Sequence, residues 1–157
     1  MNSPLNSLLP LPRSARLGEG AFALKTASTV FFGADPLTAV AIRRVLEDVP
    51  GACWRFSDAA DRADVAFRLT AAKAGRQSYR ILINRSAIEV DAHDAAGLFY
   101  AAVTLAQLAR LSDNLLPGCE IADAPDFPVR GVMLDISRDK VPTMETLCWL
   151  ADTLAGL

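Results

Sequence analysis

The sequence predicts an α+β domain followed by the opening strand and helix of a second, parallel α/β unit. Three observations predict it. Tyr79–Asn84 and Ala87–Val90 read as a hairpin turning at Arg85-Ser86, with Ile81 and Ile83 on one face and Ile88 and Val90 as their counterparts. Asp94–Leu111 carries a stripe of Leu98, Phe99, Ala102, Leu105, Ala106 and Ala109, which Val103 and Leu108 widen almost around the cylinder. Such a helix is expected to be buried. Arg130–Arg138 reads as an apolar strand ending in charge, and a helix start follows at Pro142-Thr143. Parallel sheets and barrels need that order of events, and they place their chemistry at that end of the strand.

The chain has 157 residues, enough for one ordinary domain but not for a complete (β/α)8 barrel of roughly 250 residues. Hydrophobic residues make up 52% and charged residues 22%, which suits a packed core. The net charge of −2 and the lack of a basic stripe argue against nucleic acid as a partner. No apolar run is long enough to span a bilayer, so no membrane association is expected. Leu5–Leu11 is apolar but short, follows no basic residue and is broken by Pro10, which is a poor signal peptide. A cytoplasmic location is the default. Cys53, Cys119 and Cys148 cannot all pair and have no CxxC spacing, so buried free thiols are expected.

Taken in order, residues 1–20 read as an irregular lead-in with three prolines, and Ala21–Leu24 as a short strand. Thr29–Phe32 is a β-branched and aromatic strand stopped by Gly33. Asp35-Pro36 opens a helix that runs to about Asp48, with Asp as cap and Pro at the first helical position. Its expected stripe is Leu37, Val40, Ala41, Val45 and Leu46, and Pro50-Gly51 ends it. Trp54–Phe56 is a short strand, Asp58–Asp61 a turn, and Asp64–Leu69 a strand with Val65, Phe67 and Leu69 on one face. In the long helix, Gly97 costs about 1 kcal/mol of propensity relative to Ala, which points to close packing or a nearby helix start.

Residues 112–129, with Pro117-Gly118, Pro125 and Pro128, read as a linker, dividing the chain into 1–125 and 126–157. Val132–Ile136 is then a strand interrupted only by Asp135. The last helix is capped by Thr143, with Glu145 in its first turn and a stripe of Met144, Leu147, Ala151 and Leu154.

Two passages carry a family resemblance. Gly97-Leu98-Phe99-Tyr100-Ala101, with Thr104, Leu105, Gln107 and Leu108, resembles the G-L-[FY]-Y-A-x-x-T-L-x-Q-L helix of glycoside hydrolase family 20, the β-N-acetylhexosaminidases. Asp123–Arg138 resembles that family's D-x-P-x-F-x-x-R-G-x-M-L-D-x-S-R passage into its barrel. The resemblance implies an accessory domain over 1–125, a mixed or antiparallel sheet with two helices on one face and a zincin-like shape. It also implies that 126–157 is the first strand and helix of a truncated (β/α)8 barrel. With no H-E-x-x-H and one histidine, His93, a zinc site lacks its ligands; no metal or cofactor is expected, and His93 reads as a surface or capping residue.

The resemblance assigns Arg138 to hydroxyls of the non-reducing N-acetylhexosamine. A guanidinium's fixed fork of donors suits two vicinal hydroxyls. Asp135, a carboxylate inside an apolar strand, is expected to need partners and to orient Arg138. Arg130 lies at the strand's other end and is expected to hold the contact between domains. Asp139 stands where many family members have histidine. The family's adjacent Asp and Glu, which orient the substrate's acetamide and protonate the leaving oxygen, have no counterpart here. The chain contains no Asp-Glu dipeptide, and Glu47-Asp48 reads as a solvated helix end. No G-x-S-x-G or phosphate loop is present. Trp54, Trp149, Phe99 and Tyr100 are expected in core packing rather than stacked on sugars.

The expected function is therefore the N-terminal part of a β-N-acetylhexosaminidase acting on N-acetylhexosamine-containing glycans, inactive as these residues alone. A stand-alone, non-catalytic α/β interaction or support module is the alternative, and a sugar-binding domain without hydrolysis a third.

Overall fold

The structure, a computed structural model, describes residues 3–24, 27–70, 75–137 and 140–156. The chain divides into two compact units, Met1–Pro125 and Asp126–Leu157. The first is built on a seven-stranded mixed sheet. In chain order its elements are a 3₁₀ turn Pro4–Ser7, β1 Ser14–Ala23, β2 Ser28–Gly33, α1 Pro36–Glu47, β3 Trp54–Ser57, a 3₁₀ turn Ala60–Arg62, β4 Val65–Leu69, β5 Tyr79–Ile83, β6 Ile88–Ala92, α2 Ala95–Leu111 and β7 Leu115–Asp123. The spatial order is β1-β7-β5-β6-β4-β2-β3. Strands β3, β2, β4 and β6 run parallel; β5 joins β6 and β7 antiparallel, and β1 joins β7 antiparallel.

Register explains how one face becomes the core. Val30 pairs with Val65 and Val65 with Ile88; Val90 pairs with Ile81 and Ile81 with Ile121. Side chains alternate across a strand, so these residues share a face, and all of them are fully buried. Alternate positions place Arg80, Glu120, Glu89, Asp91 and Arg68 on the other face, where Arg80 Nε meets Glu120 Oε1 at 2.8 Å. Both side chains of that pair are nearly half exposed, so it adds little stability.

Helix α2 packs on β4, β5, β6 and β7 and beside α1. The expectation of a buried helix holds for most of the stripe: Leu98, Ala101, Ala102, Leu105, Ala106, Leu108 and Ala109 are buried, while Phe99 and Val103 are only half-buried. The Asp35 cap holds too. Its carboxylate accepts from the Leu37 and Thr38 amides at 3.0 and 3.1 Å, and the Thr38 hydroxyl and these N–H groups keep it below the usual carboxylate range. The α1 stripe needs correction. Leu37 and Val40 are exposed, whereas Ile42 and Leu46 carry the buried face. The hairpin forms as read, Ile81 opposite Val90 and Ile83 opposite Ile88. Its turn is held by the Asn84 side chain, which accepts from the Ser86 and Ala87 amides at 2.8 and 2.9 Å.

Asp94 caps α2 and also ties down the loop before β5. One carboxylate oxygen accepts from the Gly97 amide at 2.9 Å and the other from the Gln77 amide at 2.9 Å. Burial pushes this carboxyl up, but the two amides, with His93 and Arg76 nearby, outweigh it and leave it below its ordinary value. A carboxyl lowered by folding stabilises above its unfolded pKa, and that gain is lost as pH falls through the folded pKa. Asp94→Asn keeps one acceptor and turns its amide on the second N–H. It should cost about 1–2 kcal/mol at pH 7. Urea titrations from pH 7 to 2.5 should show the gap to wild type closing at the acid end; a gap independent of pH would refute the assignment.

Two strands depart from the sequence reading. The expected short strand Ala21–Leu24 is the end of the ten-residue β1, which begins inside the supposed lead-in at Ser14, and the expected linker contains β7, between β1 and β5. The cysteine expectation holds only for Cys119, whose thiol burial pushes up to about 11; Cys53 and Cys148 are exposed.

The second unit holds α3, Met144–Ala155. Thr143 caps it, accepting from the Thr146 amide at 3.2 Å, and Glu145 sits in the first turn as expected. The expected strand Val132–Ile136 is absent: residues 129–136 have no regular secondary structure, and no ladder partner stands beside them among the described residues.

Candidate functional site

The site read from the sequence lies in Arg130–Arg138. Arg138 and Asp139 lie outside the described residues. Asp135 is not a buried strand residue. It is exposed, and one carboxylate oxygen accepts from the Ser137 amide at 2.8 Å and from the Ser137 hydroxyl at 2.5 Å. The hydroxyl first, then the amide, hold this carboxyl below its usual range. At neutral pH it is an anion and an acceptor, not a proton donor. Arg130 Nη1 donates to the Phe127 carbonyl at 2.7 Å, a bond that closes its own turn.

Within this unit a cleft of about 670 Å³ runs between residues 134–136 and 140–143 on one side and α3 on the other. Asp135, Lys140, Thr143 and Thr146 supply its polar groups; Leu134, Val141, Trp149 and Leu150 supply apolar wall. Trp149, expected in core packing, is 64% exposed on this wall. The expected stripe of α3 is no buried face either: no residue of this helix is buried, and Met144, Ala151 and Leu154 are exposed like Trp149. Trp54 meets its expectation better: half-buried, it donates from Nε1 to the Leu46 carbonyl at 2.8 Å. Phe99 and Tyr100 are half-buried and meet edge to face at 6.1 Å.

The chemistry available here is narrow. Among the described residues the lining includes one carboxylate, Asp135, already bonded to Ser137. Glycoside hydrolysis by an acid and a base or nucleophile needs two. The groups present can accept, donate and stack, which is binding chemistry. Among the described residues no cluster of three or more His, Cys, Asp or Glu side chains could hold a metal ion, and His93 is an exposed residue preceding the α2 cap. Glu47-Asp48 lies at the C-terminal end of α1, where Arg110 Nη2 reaches Asp48 at 2.8 Å.

The family model described as "Glycosyl hydrolase family 20, domain 2" matches residues 6–124, which contain the whole seven-stranded sheet and both of its helices. The chain belongs to glycosyl hydrolase family 20. A β-hexosaminidase of Vibrio furnissii is 34% identical over 134 residues, 84% of this chain and 22% of that protein. A β-N-acetylhexosaminidase of Cellulomonas fimi is 37% identical over 68 residues, 41% of this chain and 14% of that protein. The family 20 chain thus spans about a fifth or less of these relatives' length. In fold it is similar to the Streptomyces plicatus N-acetyl-β-hexosaminidase, with TM-score 0.81 at 21% identity over 98% of this chain and 33% of that one. It is also similar to the exo-β-N-acetylglucosaminidase of Vibrio harveyi, with TM-score 0.80 at 21% identity over 99% and 24%. At such identities the likeness speaks to fold alone.

Proposed function

We propose that this chain is the non-catalytic N-terminal part of a β-N-acetylhexosaminidase. In this reading 1–125 is the zincin-like accessory domain, and 126–157 supplies the first strand and helix of a (β/α)8 barrel. The whole enzyme removes terminal N-acetylglucosamine or N-acetylgalactosamine with retention. The 2-acetamido group of the substrate attacks the anomeric carbon, a later Asp orients that group, and a later Glu protonates the leaving oxygen. Arg138 at the barrel mouth binds sugar hydroxyls. Asp135, through the Ser137 turn, fixes the backbone that precedes it.

The observation that carries this reading is the family match over 6–124, continued without a break by the Asp123–Arg138 passage. The exposed run Val132, Met133, Leu134 and Ile136 supports it. An apolar run of that kind is what a barrel strand presents before its neighbours are added. The test is turnover of a chromogenic N-acetyl-β-glucosaminide. The 157 residues alone should release no more chromophore than buffer. The longer protein carrying a downstream Asp-Glu pair should turn over. Hydrolysis by the 157 residues, or none by the longer protein, would overturn the reading.

A further inference from the structure

Two residues of the family-like α2 passage, Thr104 and Gln107, are polar on a helix otherwise given to packing. Both are engaged at the edge of the first unit. The Gln107 amide donates from Nε2 to the Leu9 carbonyl at 2.8 Å and accepts from the Leu9 amide at 3.1 Å. It meets that peptide group much as the backbone of a neighbouring strand would. Four residues on, the Arg13 amide donates to Asp123 Oδ1 at 3.1 Å. The other oxygen of Asp123 accepts from Tyr79 Oη at 3.3 Å, and Tyr79 shares a 2.7 Å bond with Thr104.

Between the chain start and these two points, residues 3–13 lie outside the sheet. Their backbone turn is internal, Asn6 amide to Ser3 carbonyl at 3.0 Å. Leu5 and Leu8 are buried at 4% and 1%; Leu5 lies in the turn Pro4–Ser7, which packs on α2, and Leu8 follows it directly. Leu9 and Leu11 are 72% and 65% exposed. The segment is therefore seated by two leucines three residues apart and fastened by side-chain bonds that water can reach.

We infer that residues 3–13 form a strap, latched by Gln107 and Asp123, that releases from α2 as one piece while the sheet stays folded. Solvent-reachable latches and two apolar anchors protect less than a seven-stranded ladder, so the strap opens at a fraction of the cost of global unfolding. Release uncovers the seats of Leu5 and Leu8 on the core. Gln107 is thereby assigned as the latch, independently of any catalytic role of the longer protein.

Amide exchange of the 157-residue chain, followed by NMR, tests this. The Asn6, Leu9 and Arg13 amides should exchange at least about 100-fold faster than the slowest amides of β5 and β6, by a route insensitive to low urea. Gln107→Ala should speed Asn6 and Leu9 by about tenfold or more and leave β5 and β6 unchanged. Gln107→Glu, which keeps the acceptor and loses the donor, should fall between. Leu8→Ala, which removes an anchor without touching the latch, should reproduce the pattern. Exchange of the strap as slow as that of β5 and β6, or acceleration of both together in these variants, would overturn the proposal.

Discussion

Gly97→Ala should lower the unfolding free energy of the 157-residue chain by about 2–3 kcal/mol, and Gly97→Val should abolish its cooperative transition. The sign is informative, because in an unconstrained helix alanine is favoured over glycine by about 1 kcal/mol. Here a Cβ on Gly97 would stand 2.5 Å from the Ser78 carbonyl oxygen, 3.1 Å from Ala92 Cβ and 3.2 Å from the Gln77 carbonyl carbon. Two of these three are backbone atoms, and they are fastened. The Ser78 carbonyl accepts from the His93 amide at 3.0 Å, and the Gln77 amide is held by Asp94 at 2.9 Å. Moving the loop away breaks both bonds; moving α2 away opens the core under Leu98 and Ala101. Valine adds two methyl groups at the same point, against a domain stability of only about 5–15 kcal/mol. Urea midpoints followed by far-UV circular dichroism check both variants. A Gly97→Ala chain as stable as wild type would mean that α2 does not lie this close to β5.

The same glycine shows why some elements were legible. Its cost to the helix pointed to close packing, and the structure places it at the third helical position, against the loop before β5. The long helix, the hairpin and the Asp35-Pro36 helix start were readable because each carries a local signal: an unbroken apolar face, alternation on both sides of a two-residue turn, a cap followed by Pro. β7, and β1 before Ala21, carry no such signal. β1 is an edge strand whose residues are exposed except near its end, where Phe22 is buried, so it has no alternation to read. β7 is interrupted by Pro117-Gly118, a pair that reads as a loop. The interruption is tolerated because β5 reaches along β7 only from Cys119 to Asp123. Pro117 has β1 as a neighbour, and there the ladder shifts register between Leu17 and Ala21. Gly118 sits against that irregularity: a Cβ on it would stand 2.3 Å from the Glu19 carbonyl oxygen.

The candidate site was legible to a different depth. The order of residues from Arg130 to Arg138 marked it, because a strand of a parallel barrel carries its charge at its end. The strand itself was not formed, because β structure comes from neighbours, and Val132–Ile136 has no ladder partner among the described residues. Asp135 was read as buried for the same reason: its flanks are apolar, but flanks bury a carboxylate only when a second layer covers them. Trp149 is exposed for a like reason: a place in an apolar helix buries a tryptophan only where a core covers that helix, and no residue of α3 is buried.

In the longer protein, Arg138→Ala should reduce kcat/KM for an N-acetyl-β-glucosaminide by about 100- to 10,000-fold, the loss of two charge-assisted hydrogen bonds at roughly 1.5–3 kcal/mol each. Arg138→Lys should recover only part of this, because a point charge cannot hold two hydroxyls with a fixed fork. A drop in activity alone would not separate contact with substrate from support of the barrel, so the informative measurement is a cycle. A substrate lacking one ring hydroxyl should be poor for wild type, because a donor meant for that hydroxyl is left unpaired. It should be almost as good as the parent sugar for Arg138→Ala, which has no fork left to disappoint. The two losses should therefore be strongly non-additive. Purely additive losses, with unchanged thermal stability, would place Arg138 away from the sugar and leave the hydroxyls to another residue.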